Sequence, residues 1–305
     1  MKLPPRNLGI FAMVHAAFGA AIFSCLTAVN IPSTIIQQFI KKVFLQHYGI
    51  YLSDTDLLWV WSFVIMLCPF GALLAAIPSP YMADKLGRRN MLMLYNSWIT
   101  ITGCTLQLMS EPFQSFLLLS LGRLIMGLSL GFSMFTPVFL AECAPNFCRG
   151  SVGASFAVGD FSWMFIGLLI SMPQLLGTEK LWPLLLFFPA IPAFLYMLIT
   201  PLAKKSPKHL LIYENKPKDA EESVKFYHGT FANVEQTLEE FENEAQQATK
   251  EEGLFDILRT PYLKKLLSIL SIASLIPTLC GIAIGEVYSS EIFEGIIIFL
   301  VSSNK

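Results

Sequence analysis

GRLIMGLSLGFSMFTPVFLAECAPNFCRG, residues 122–150, decides how the rest of the chain is read. It sets an arginine, Arg123, inside an apolar run that begins near residue 113, and it places small residues at helical spacing behind it. Gly127 and Gly131 form G-x-x-x-G, and Gly153 with Ala157 repeats the small-xxx-small spacing downstream. Positions without side chains let helix backbones approach closely inside a bilayer. A helix over residues 113–140 would be about 42 Å long. That exceeds the hydrocarbon core, so tilt or projection beyond it is expected. An arginine about ten residues into such a span must face protein or a water-filled cavity, or snorkel outward. A structural tether is the expected role of Arg123. Glu142 lies at the C-terminal end of the span, where the helix dipole disfavours an anion, and so requires a cation.

Outward from this stretch the composition agrees. The 305 residues are 54% hydrophobic and 14% charged, with a net charge of −1, and the mean hydropathy is +0.58. Soluble domains carry about 25% charged residues, so the deficit places the chain in a lipid bilayer. The charge balance gives no reason to expect nucleic acid as a partner. Apolar runs at about 8–29, 57–77, 91–109, 113–140, 151–176, 181–202 and 263–285 each supply enough residues to cross a membrane. The fold class expected is an all-α membrane protein, divided into six spans over 1–203, a polar helical insert over 204–259, and a seventh span with a short tail over 260–305.

Lys2 and Arg6 precede the first run with no small-residue cleavage site, so that run is expected to remain as an anchor. Lys and Arg concentrate at Asp84–Arg89 and Asn146–Arg149 and after Lys204, which puts the N-terminus in the cytosol by the positive-inside bias. Seven spans would then leave the C-terminus outside. In the insert, Val224, Phe226 and Tyr227, then Leu238 and Phe241, are spaced for short amphipathic helices, read as solvated helices beneath the membrane. Most of the six cysteines lie in apolar runs, where a thiol packs as a small hydrophobe. Cys143 and Cys148 have no second pair or nearby His to complete a metal site, and no cofactor is expected.

The remaining intramembrane and interfacial charges are candidates for function. Asp84 and Arg88 are four apart and would face each other on a helical turn. With Arg89, Glu142 and Arg149 they make an expected charge network that latches the cytosolic helix ends. Asp160 lies about ten residues into the fifth span, where a carboxylate is costly. It is protonated, paired with Arg123, or bonded to a polar substrate; the residues alone do not choose among these.

Several motifs in register resemble the sugar-porter branch of the major facilitator superfamily. AECAPNFCRG is similar to its Glu–Pro–Arg–Gly segment, and Asp84-Lys85-Leu86-Gly87-Arg88-Arg89-Asn90 to its Asp-Arg-x-Gly-Arg-Arg loop. GRLIMG at Gly122, LWPLLL at Leu181, SPKHLL at Ser206 and YSSEIFE at Tyr288 resemble further family landmarks. The resemblance implies inverted three-helix repeats forming the N-terminal half of a transporter. It also implies alternating access to a central hexose site, with the charge network as an inward gate.

The chain also departs from the family pattern. The family has two six-helix halves, whereas this chain ends after its seventh span. The family's fifth-span Gln falls at Ala157. Its Gln-Gln-x-Ser-Gly-Ile-Asn run falls on Pro277, Thr278, Leu279, Cys280, Gly281, Ile282 and Ala283. Sites built on hydrogen bonds to hydroxyls lose discrimination steeply when those groups go. Lys205 stands where the family's insert motif carries Glu, and Pro80 where its loop motif begins with Gly. Asn30, Asp160 and Thr278 are the substrate-binding candidates. Two functions compete: a transporter of a small polar solute, most simply a sugar, which could complete its pathway as a homodimer; and a truncated, non-transporting protein that binds a full-length relative. An enzyme is not expected, since no catalytic constellation is present.

Overall fold

The computed structural model describes residues 4–229, 233–248 and 261–281, and every regular element among them is a helix. The chain divides into two compact units, Met1–Leu238 and Glu239–Lys305. The first holds the bundle. Its helices are α1 (Arg6–Thr27), α2 (Ser33–Val43), α3 (Asp54–Ala76), α4 (Ser79–Leu86), α5 (Asn96–Ser110), α6 (Phe116–Cys143), α7 (Arg149–Ile170), α8 (Trp182–Leu202), α9 (Pro207–Ile212) and α10 (Pro217–His228). α11 (Val234–Ala248) runs across the division. The second unit contributes α12 (Pro261–Leu279).

Among the described residues α1, α3, α6, α7 and α8 are long and apolar enough to cross a membrane. The third apolar run of the sequence forms α5, preceded by a wider π-type turn at Asn90–Tyr95. It is more polar because it carries Asn96, Thr100 and Gln107, and these point inward. Asn96 Nδ2 donates to Ser133 Oγ at 2.9 Å, and the Thr100 and Ser129 hydroxyls lie 2.5 Å apart, both linking α5 to α6. Such side-chain bonds across helices replace water that lipid cannot supply. The seventh run forms α12, which carries Lys264 and Lys265 in its first turns; the part of that run beyond Gly281 lies outside the described residues.

Local chemistry sets the helix ends. Ser53 and Asp56 form a reciprocal capping box that starts α3, with Ser53 Oγ accepting from the Asp56 amide. Ser115 caps α6 in the same sense. α6 is interrupted at Met134 and Phe135, because Pro137 has no N–H to return to the preceding turn. α1 is also irregular, with a π-type turn at His15–Gly19 and a 3₁₀ turn at Ala21–Phe23. The indole of Trp163 on α7 donates to the Ala16 and Ala17 carbonyls at 3.2 and 3.1 Å, covering backbone groups in that irregular stretch.

Glycines position the spans. An added Cβ at Gly127 would lie 2.1 Å from the Cys68 carbonyl oxygen, and one at Gly131 would lie 2.5 Å from that of Ala72, so α6 and α3 touch backbone to backbone. Gly153 has nothing within 4 Å and Ala157 is exposed, so this second small-residue pair packs on no described neighbour. α7 meets α1 instead through Gly159, against Ala16, and Gly167, against Ser24.

Two elements go beyond the sequence expectation. α2 lies between the first two apolar runs, outside the spans and insert expected to be helical; Ile36, Phe39, Ile40 and Val43 follow helical spacing and pack with Trp61 and Trp182. α10 is a docked helix, unlike the solvated helix expected of the insert. Ala220, Ser223, Val224 and Tyr227 are buried, Tyr227 packs on Phe11 of α1, and its hydroxyl donates to the Lys204 carbonyl at 2.6 Å.

Candidate functional site

At one end of the bundle a single arginine joins three elements. Asp84 comes from the last turn of α4, which ends at Gly87 with φ near +82°. An L side chain rarely takes that φ, and a Cβ there would stand 3.0 Å from His209 Nε2. Gly87 therefore serves both the turn and the close approach. Pro80 fits the same helix, sitting in its first turn where no N–H is required.

Arg88 follows, and its guanidinium divides among partners. Nη2 is 2.9 Å from Asp84 Oδ1, Nε is 3.2 Å from Glu142 Oε1, and Nη1 donates to His209 Nδ1 at 3.3 Å. The rigid, multi-donor fork of arginine suits this task, and a point-charge ammonium does not. The Arg88 and Glu142 side chains are each only 13% exposed, so their attraction is weakly screened. The second Glu142 oxygen accepts from Ser206 Oγ at 2.7 Å, which pins the start of α9 to the end of α6. Ser206 also caps α9 through the His209 amide.

His209 is the buried centre of the α9 side. Its ring stacks on Tyr213 at 5.4 Å, Arg88 lies over the same Tyr213 ring, and Nε2 faces Glu214 Oε1 at 3.4 Å. Burial lowers its pKa below the usual imidazole value; Arg88 and Lys205 act in the same direction, opposed by Glu214 and Asp84. A neutral ring can accept from Arg88 on Nδ1 and donate from Nε2 to Glu214, an assignment that follows from the partners. Burial works to raise the Glu214 carboxyl, but Lys205 and Lys216 outweigh it and hold the pKa at about 2. The lysine that reverses the family's charge at position 205 thus has a local counter-ion, Glu214.

The other charged candidates lie apart from this cluster. Arg89 Nη1 donates to the Ala203 carbonyl at 2.8 Å, and its other donors go to Asn90 Oδ1. Arg149 is exposed and forms no ion pair with Glu142; the counter-ion that Glu142 requires is Arg88. Inside the bundle Arg123 is 3% exposed, and its Nη1 donates to the Cys25 carbonyl at 3.4 Å, which joins α6 to α1. Cys104 beside it donates to Met126 Sδ at 3.5 Å.

The substrate candidates fall in different units. Asn30 is buried after α1, and Asp160 is half-buried on α7. Thr278 is a helical position of α12 in the second unit, with its side chain outside the described residues. Ile282, Ala283 and the YSSEIFE segment at Tyr288 also lie outside them. Sequence reasoning did not single out His209 or Glu214 as members of the cluster. Their signal was present, since both lie within eight residues of the Ser206-Pro207 motif.

The sugar (and other) transporter family model matches residues 12–298 of this chain. The chain belongs to that family. It is 29% identical to facilitated glucose transporter member 1 of Gallus gallus over 289 residues, covering 93% of this chain and 59% of the relative. It is also 29% identical to member 14 of Homo sapiens over 302 residues, covering 96% of this chain and 58% of the relative. The chain thus spans somewhat under three-fifths of the length of these curated relatives. Among solved structures, the inward-open xylose transporter XylE from E. coli superposes with a TM-score of 0.71 at 19% identity, over 93% of this chain and 64% of that one. This likeness shows the fold, that of the N-terminal half of a sugar-porter bundle. As a member of the family with several apolar spanning helices, the chain is a multi-pass membrane protein.

Proposed function

We propose that this chain moves a small polar solute, a sugar, across a membrane by alternating access. The observation that carries the reading is the Arg88 cluster, in which one side chain ties the α4 end, the α6 end and α9 together. A cluster of this kind has discrete made and broken arrangements, which a gate at the end of a bundle requires. Similarity to facilitated glucose transporters supports a sugar as the solute. A structure of XylE bound to 6-bromo-6-deoxy-D-glucose, to which this chain is also similar in fold, supports the same class.

In this reading Arg123 is the internal tether that keeps α1 and α6 moving as one body. Asn30 and Asp160 contribute polar groups along the solute path. Asp84, Arg88 and Glu142 form the cytosolic latch, with Ser206 and His209 added from α9. The N-terminus is cytosolic and the protein resides in the plasma membrane.

Binding can be tested without flux. Thermal unfolding of the purified full chain in detergent is measured with D-glucose, D-xylose, a polyol and an organic acid at increasing concentration. A ligand at one hundred times its Kd stabilises by about 2.7 kcal/mol. The reading expects a saturable rise with one of the sugars and none with the organic acid. No rise with any sugar would overturn it.

A further inference from the structure

A concave feature lies on the first unit, separate from Arg123 and the Arg88 cluster. It encloses about 260 Å³ between the start of α1, the turn before α5, the end of α8 and α10. Phe11, Met93 and Ala203 are buried residues lining it; Ile10 and Leu202, 52% and 75% exposed, border it; and Phe226 of α10 packs from one side. Asn7 is its one polar side chain. A sugar, which needs several hydrogen-bonding groups, finds almost none there. A hydrocarbon chain suits the lining.

The charge around the cleft is one-sided. Lys204 and Lys225 are the sequence neighbours of the lining residues Ala203 and Phe226, but each already has a carboxylate, Glu222 at 3.2 Å and Glu221 at 2.6 Å. That leaves two arginines. Arg6 is exposed and precedes Asn7 in the chain. Arg89 donates to the carbonyl of Ala203 itself, and its donors meet only neutral oxygens. Neither arginine has a carboxylate within ion-pair distance among the described residues. An apolar cleft at the end of membrane-spanning helices, beside two cations that no carboxylate pairs directly, matches an amphiphile with one anionic head and an apolar tail.

We infer that this cleft is a binding site for an anionic phospholipid, with an acyl chain between Ile10, Met93, Leu202 and Phe226 and the phosphate-bearing head against Arg6 and Arg89. Basic pockets between membrane helices take anionic headgroups, held by the attraction of cations near the surface. A lipid seated here would bridge α1, α8 and α10, and so brace the docked helix that follows the latch. The inference depends on the bundle being in a membrane and not on the solute being a sugar.

The test is native mass spectrometry of the full chain released from nanodiscs of equal phosphatidylglycerol and phosphatidylcholine. The wild type is expected to keep one lipid adduct, with phosphatidylglycerol over phosphatidylcholine by about fivefold or more. Ile10→Trp fills the cleft from an exposed position that folding tolerates, and should reduce that adduct at least fivefold. Arg6→Gln should bring the two lipids to within about twofold of each other. Equal retention of both lipids by the wild type would overturn the site, as would an adduct unchanged in Ile10→Trp or a headgroup preference unchanged in Arg6→Gln. Uptake and sugar binding do not enter this readout, so its failure is distinct from failure of the transport reading.

Discussion

Arg88 directs three nitrogens to Asp84, Glu142 and His209, and this geometry fixes what its replacement should do. Alanine leaves the Glu142 carboxylate with Ser206 alone in a poorly solvated position. Removing one partner of a buried pair costs about 3–5 kcal/mol, and the slight exposure here puts the expectation at the lower end, about 3. Arg88→Lys keeps the charge but supplies a single nitrogen, so it should recover less than half of that loss in a denaturant-unfolding series. His209 sets a pH dependence. Burial and Arg88 hold its pKa below the usual imidazole value, so between the two pKa values the unfolded chain binds the extra proton. Its contribution is complete above about pH 6.5 and is lost as pH falls through the depressed folded value. Thermal unfolding followed from pH 8 to pH 5 should show this loss in the wild type and a flatter profile in His209→Gln. The Glu214 contribution fades separately, between about 4.3 and about 2.

At the scale of helices, the close approach of α6 to α3 makes Gly127 the position least able to accept a side chain. Gly127→Val must push the backbones apart, since even a Cβ would lie 2.1 Å from the Cys68 carbonyl. A loss of at least about 3 kcal/mol is expected in the same unfolding assay. Gly153→Ala has open space and removes helix-interior glycine entropy, so it should be neutral or stabilising by up to about 1 kcal/mol. The contrast shows what the sequence could carry. Both small-residue pairs read alike, because spacing records which residues are bare and not what stands opposite them. Gly159 and Gly167, eight apart, do the packing on α7 and escaped the four-residue pattern. α2 was legible in the spacing of Ile36, Phe39, Ile40 and Val43, yet it is shorter than a span and ends in two lysines, so it falls outside the apolar runs. The break in α6 was signalled by Pro137, whereas the π-type turn in α1 has no such marker.

For the whole molecule, the bundle was readable because the bilayer imposes length and apolarity on every span, and the ordered motifs added the family. The candidate sites were less legible. Ser206 meets Glu142 across 64 residues and His209 meets Arg88 across 121, and no local pattern reports such meetings. Glu142 demanded a cation by its place on the dipole, but the fold supplied Arg88 and left Arg149 exposed. Membership of the sugar transporter family rests on residues 12–298, while solute movement is the step that one measurement can decide. That measurement is uptake of radiolabelled D-glucose and D-xylose into proteoliposomes holding only the purified chain, beside protein-free liposomes and the Arg123→Ala variant. The account predicts saturable, protein-dependent uptake of at least one sugar, reduced at least tenfold in Arg123→Ala. Uptake no greater than in protein-free liposomes for both sugars, from a chain that remains folded, would contradict it.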